Sequence, residues 1–143
     1  MSRRRWAAAV VATLAVASCG RNDPLPASPQ VVDVTMGEYG FSYDHSVSAG
    51  RAVFRAANTG ALPHELVLVV VPKELAGHLA AQLQSSKRKA VATRGYLPPR
   101  PPGADGTFAV DLRPAHYALM CFVTDPDGEV HARKGMVSEF TVR

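Results

Sequence analysis

Seven short runs rich in β-branched and aromatic residues, each closed off by a turn or loop signal, constrain this chain more than any other feature. They read VVDVTM, YGFSYD, RAVFRAAN, HELVLVVV, TFAVDL, YALMCFV and VSEFTV, with Gly37, Asp44, Gly50 and Gly60 marking the early breaks. TFAVDL and VSEFTV alternate apolar and polar positions as half-buried strands do, whereas HELVLVVV is apolar nearly throughout and predicts a central strand. Short strands in close succession favour two packed antiparallel layers over a parallel α/β sheet, so an all-β, Greek-key β-sandwich is expected.

One segment departs from that rhythm. After Pro72, KELAGHLAAQLQSSKRKA places Leu75, Leu79 and Leu83 at i, i+4 and i+8 among good helix formers. The spacing predicts a single amphipathic helix inserted between strands and packed on the sandwich. The stretch LPPRPPGADG that follows carries four prolines. Each removes a backbone donor, so an extended surface connection is expected there rather than regular structure.

The N-terminus reads as a targeting segment. Arg3, Arg4 and Arg5 form a positive region, and Trp6 to Val16 form an apolar stretch of signal-peptide length, too short for a membrane span. Val16-Ala17-Ser18-Cys19-Gly20 resembles a bacterial lipobox, which implies a signal peptide at 1–18 and lipidation of Cys19. Residues 19–30 include RNDPLPASPQ, whose three prolines and lack of periodicity suit a tether. The folded domain is then expected over 31–143, at the end of a lipid anchor on the extracytoplasmic or periplasmic face of a bacterial membrane.

Charge excludes one class of partner. Three of the 16 basic residues lie in the leader, which leaves 13 against 12 acidic ones from Cys19 onward, a balance that gives nucleic-acid binding no support. The Lys87-Arg88-Lys89 run is read as a solvated helix end. A monomer is expected.

Cysteine usage leads to the chemistry. Of the two cysteines, acylation consumes Cys19 and leaves Cys121 an unpaired thiol in an oxidising compartment. Metal coordination is one protection for such a thiol; burial as a small core hydrophobe is the other reading. Within fifteen residues of Cys121 come His131 and Met136, and His64 stands at the head of HELVLVVV. Thiolate, two imidazoles and a thioether form the soft donor set of a blue-copper site. Taken singly, each has a plain reading: His64 and His131 as surface-loop histidines, Met136 as core. The ordered combination favours one copper ion, Cu(I)/Cu(II), with Met136 as a weak axial ligand.

From about Val31 to Arg143 the chain resembles the cupredoxins, the family of plastocyanin and azurin. In that family the first histidine opens onto a central strand and the other three ligands share the loop between the last two strands, as His64, Cys121, His131 and Met136 do here. Asn58 and Gly60 match residues often found before the first histidine. Pro114-Ala115-His116-Tyr117 stands where the family often has Pro-Gly-x-Tyr, with alanine in place of the turn glycine. Nine residues separate Cys121 from His131, more than in the small electron carriers, and the TDPDGE insert is expected to fold out of the site through a Pro126-Asp127-Gly128 turn.

The resemblance implies an extracytoplasmic one-electron carrier that exchanges with redox proteins across an apolar rim at an exposed edge of His131, with Ala132 and Leu62 contributing. The alternative is a copper chaperone or storage protein that hands its ion to a copper acceptor. An enzyme is not expected, because His45, His78 and His116 are scattered singles and offer no second metal cluster.

Overall fold

The computed structural model describes residues 28–85 and 89–143. Cys19, the leader and most of the tether lie outside the described residues. Eight strands form two four-stranded sheets. In chain order they are β1 (Gln30–Gly37), β2 (Gly40–Ser42), β3 (Gly50–Asn58), β4 (His64–Val70), β5 (Ala92–Arg100), β6 (Asp105–Leu112), β7 (Ala115–Met120) and β8 (Val137–Val142). One sheet has the order β2-β1-β3-β6 and the other β5-β4-β7-β8. This is the expected all-β sandwich. Gln30, assigned from sequence to the tether, is already in β1, where its side chain bonds both the amide and the carbonyl of Ser48.

Alternation explains the first sheet. In β1, Val32, Val34 and Met36 point into the core while their neighbours face solvent, and in β3 Ala52, Phe54 and Ala56 do the same. The solvent face is charged: Arg55 donates to both oxygens of Asp33 on the parallel neighbour at 2.7 and 2.9 Å.

In the second sheet the inner strands β4 and β7 are covered on both faces, and for that reason β4 reads as continuous apolar sequence. Leu66 and Leu68 face the inter-sheet core with Leu119 and Phe140. Val67 and Val69 face the other way, against Leu75, Leu79 and Leu83. Those three leucines are the predicted helical stripe, but the helix itself is shorter than the pattern suggested. A 3-10 turn covers Lys73–Leu75 and helix α1 covers only Leu79–Gln84. Between them Gly77 adopts φ +77° and interrupts the spiral. Six residues are too few to hold a helix by propensity. Burial of Leu79 and Leu83, at about 1.5–3 kcal/mol per side chain, does so instead. Glu139 on β8 accepts hydrogen bonds from the Gly77 and Leu79 amides and is held in turn by His116 at 2.8 Å.

One expectation needs correction. LPPRPPGADG is not wholly irregular: Leu97 to Arg100 belong to β5, and β6 begins at Asp105. Prolines are tolerated there because β5 is an edge strand, and Pro98 and Pro99 fall where a register shift breaks the pairing between His64 and Leu66. The alanine at 115 carries no penalty, because it is the first residue of β7 and has no left-handed backbone. Tyr117 still ties the preceding turn, donating to the Arg113 carbonyl at 3.0 Å.

Candidate metal centre

Strand parity delivers the first two donors. His64 lies two residues before core-facing Leu66, and Cys121 lies two after core-facing Leu119, so both side chains are on the inner face of the second sheet. β4 and β7 run antiparallel with Val67 opposite Met120, which brings the start of one and the end of the other to the same rim. His131 arrives from the loop that leaves β7. Its amide bonds the Val123 carbonyl, and the Ala132 amide bonds the Cys121 carbonyl at 2.7 Å.

Three donors converge. His64 Nδ1 is 3.1 Å from His131 Nδ1, and Cys121 Sγ is 3.5 Å from His131 Nδ1. The ligand atoms of His64, Cys121 and His131 all lie within 4.8 Å of one another and could hold a metal ion. His64 and Cys121 are fully buried and His131 is 1% exposed. Cys121 is a free thiol. Two ring nitrogens face to face beside a sulfur are a poor arrangement for imidazoles that need separate partners and a good one for a shared soft cation. Met136 is also fully buried, with its amide bonded to the His131 carbonyl and its carbonyl accepting from the Cys121 amide.

Burial favours the neutral side chains, an unprotonated imidazole on His64 and a protonated thiol on Cys121. Burial pushes the His64 imidazole below its ordinary value, and the neighbouring His131 pushes it the same way. Burial raises the Cys121 thiol, while amide hydrogen bonds from Glu65 and Val123 oppose the shift. The Glu65 amide lies 3.4 Å from Sγ.

The 58–64 loop is shaped by Asn58, which is buried and fully bonded. Its amide nitrogen donates to the carbonyls of Leu62 and Arg100 at 2.8 Å, and its oxygen accepts from the Gly60 amide at 2.9 Å. Gly60 has no room for a side chain: a Cβ there would sit 2.9 Å from His64 Nε2 and overlap the Glu38 carboxylate. His64 Nε2 is buried without a hydrogen-bond partner among the described residues, 3.7 Å from Glu38 Oε1. Glu38 itself accepts from the Ala61 and Leu62 amides, which hold its carboxyl below the usual range.

The TDPDGE insert does not fold out of the site. Residues 124–130 close a small hairpin, with Thr124 bridged to Val130, and its first acid turns inward. Asp125 is 8% exposed and accepts from His131 Nε2 at 2.8 Å, Tyr39 Oη at 2.6 Å and Lys134 Nζ. Lys134, and then Tyr39, hold the Asp125 carboxyl far below the usual carboxylate range. Tyr39 also packs edge-on against the His131 ring, with centroids 5.3 Å apart. Its backbone is left-handed at φ 59°, an uncommon state for a bulky residue.

The exposed edge expected on His131 is therefore absent, and Ala132 is buried beside it at 2%. Apolar exposure near the centre lies on the Cys121 side instead. Phe122 and Tyr96 are 40% and 50% exposed, and their amide and hydroxyl donate to the two oxygens of Glu65. Sequence reasoning missed Glu38, Tyr39, Glu65, Asp125 and Lys134. Only the insert length pointed toward Asp125 and Lys134, and nothing local marked the rest.

No protein-family model and no curated protein matches the sequence. Among solved structures, the chain is similar to auracyanin A from Chloroflexus aurantiacus, described as a "blue" copper protein, with 20% identity over 81% of this chain and 100% of that one and a TM-score of 0.55. It is similar to dithionite-reduced auracyanin from Roseiflexus castenholzii, with 21% identity, 81% and 98% coverage and a TM-score of 0.53. Reduced rusticyanin gives 13% identity, 81% coverage of each chain and a TM-score of 0.53. These likenesses establish the cupredoxin fold.

Proposed function

We propose that this cupredoxin-fold chain is a mononuclear type 1 copper protein that carries single electrons outside the cytoplasm, anchored to a membrane through a lipid on Cys19. The observation that carries the reading is the convergence of His64 Nδ1, His131 Nδ1 and Cys121 Sγ in a buried site. Copper fits this donor set and supplies the one-electron couple, Cu(I)/Cu(II). His64, Cys121 and His131 would hold the ion, with the Met136 thioether as a further, weaker donor. The chain keeps the donors rigid: His64 is fixed by a strand end, Cys121 by the Glu65 amide, and His131 by Asp125. No side chain here needs to move a proton during turnover. Contact with a redox protein belongs on the Phe122 and Tyr96 side, because charged groups cover His131.

Complete burial of the donors and the clamp on His131 favour a carrier over a delivery protein, which must release its ion. Reversible redox cycling without metal loss separates the two. The function is tested by adding Cu(II) to the purified protein and recording its visible spectrum. An intense thiolate-to-copper band that is lost in Cys121→Ser supports the reading. No band, or one that survives that substitution, refutes it.

A further inference from the structure

We propose that Asp125 is a positioning residue for the metal centre: it fixes which nitrogen of His131 faces the ion and lowers the centre's potential through its negative charge. The inference rests on the copper reading above.

Geometry sets the first part. His131 Nε2 lies 2.8 Å from Asp125 Oδ1, and a carboxylate can only accept, so the ring proton sits on Nε2. Nδ1, which faces Cys121 Sγ and His64 Nδ1, then keeps its lone pair for a metal. Such a partner on a ligating histidine orients the ring and raises its basicity.

The acid cannot swing away. Its Oδ2 is held by Tyr39 Oη at 2.6 Å and by Lys134 Nζ, its amide bonds the Glu129 carbonyl, and its carbonyl accepts from the Gly128 amide. Gly128, at φ +84°, closes this turn with a backbone a side chain would strain. Tyr39 reaches Asp125 from a two-residue turn between β1 and β2, 86 positions away in sequence. A left-handed tyrosine is costly, and the contact it secures is this one.

Charge sets the second part. A buried carboxylate one imidazole away from the ion stabilises Cu(II) more than Cu(I), because the oxidised centre carries one more positive charge. Lys134, which is also bonded to Asp127 at 2.6 Å, offsets part of that field. The two residues therefore pull the potential in opposite directions, an outcome that a purely structural clamp would not produce.

The test is a spectroelectrochemical titration of the copper-loaded protein and two variants, with far-UV circular dichroism as a check on folding. Asp125→Asn keeps an oxygen acceptor for Nε2–H and removes the charge. The visible band should persist, and the Cu(II)-over-Cu(I) affinity ratio should fall about tenfold, which raises the potential by ~59 mV. Lys134→Met should lower the potential. If Asp125→Asn does not fold, the Lys134→Met shift decides alone. A copper-loaded wild type with its band, but with variants at unchanged potential or shifted in the same direction, overturns this inference and leaves the proposed function standing. A wild type with no thiolate-to-copper band removes both.

Discussion

Gly60→Ala tests the tightness of the cradle around His64. Gly60 is not in the left-handed region, so the backbone accepts alanine and the cost falls on the neighbours. The new Cβ would meet His64 Nε2 at 2.9 Å and overlap the Glu38 carboxylate. Glu38 is 42% exposed and can turn outward, but doing so breaks its bonds to the Ala61 and Leu62 amides. Water at that exposed site replaces much of what those bonds contribute. The His64 ring cannot leave, because it is fully buried, so it must shift within the site. Overpacking of this kind costs ~1–3 kcal/mol. We expect the metal-free variant to lose about 2 kcal/mol in urea unfolding and to bind copper about tenfold more weakly or worse, since 1.4 kcal/mol is one decade. A stability change under about 0.5 kcal/mol with unaltered copper affinity, against the usual scatter of surface substitutions, would refute the cradle argument.

Three further outcomes are expected. Leu79→Ala should cost ~2–5 kcal/mol in urea unfolding by opening a cavity under α1, yet leave the copper spectrum intact, because α1 packs on the face of β4 opposite the metal donors; a bleached spectrum in a folded variant would contradict that separation. The metal-free protein should lose stability in acid, because burial depresses His64 below its ordinary 6.5: that contribution is fully present above 6.5 and is lost as pH falls and the unfolded chain takes up the proton first. It should also lose stability in alkali, because burial raises Cys121 above 9.0 and Asp125 raises Lys134, so both contributions fade as the unfolded chain deprotonates; a urea midpoint flat from pH 8 to 4 would sink the acid arm, and one flat from pH 8 to about 11 the alkaline arm. Met136→Leu should retain copper and change its potential, as checked by metal analysis and voltammetry, and complete loss of binding would exclude a weak axial role.

How much the sequence disclosed follows from the range of the interactions involved. Strands with one solvated face, such as β1 and β6, were readable because alternation is local. The donors were readable because thiol, imidazole and thioether are rare and chemically specific. β5 was hidden by Pro98 and Pro99, whose tolerance depends on an edge position that topology alone determines. The helix was overextended because the leucine spacing persists across Gly77 even though the backbone there does not. Asp125 looked like an ordinary turn acid, and its inward orientation depends on Tyr39, a partner no local pattern connects to it. Local chemistry named the candidate ligands, and long-range contacts decided their surroundings.

Copper-edge X-ray absorption of the loaded protein reads the ligand atoms themselves. The account predicts one sulfur at a short thiolate distance and two imidazole nitrogens, with the sulfur contribution missing in Cys121→Ser. A shell of oxygen and nitrogen alone in the wild type would contradict it.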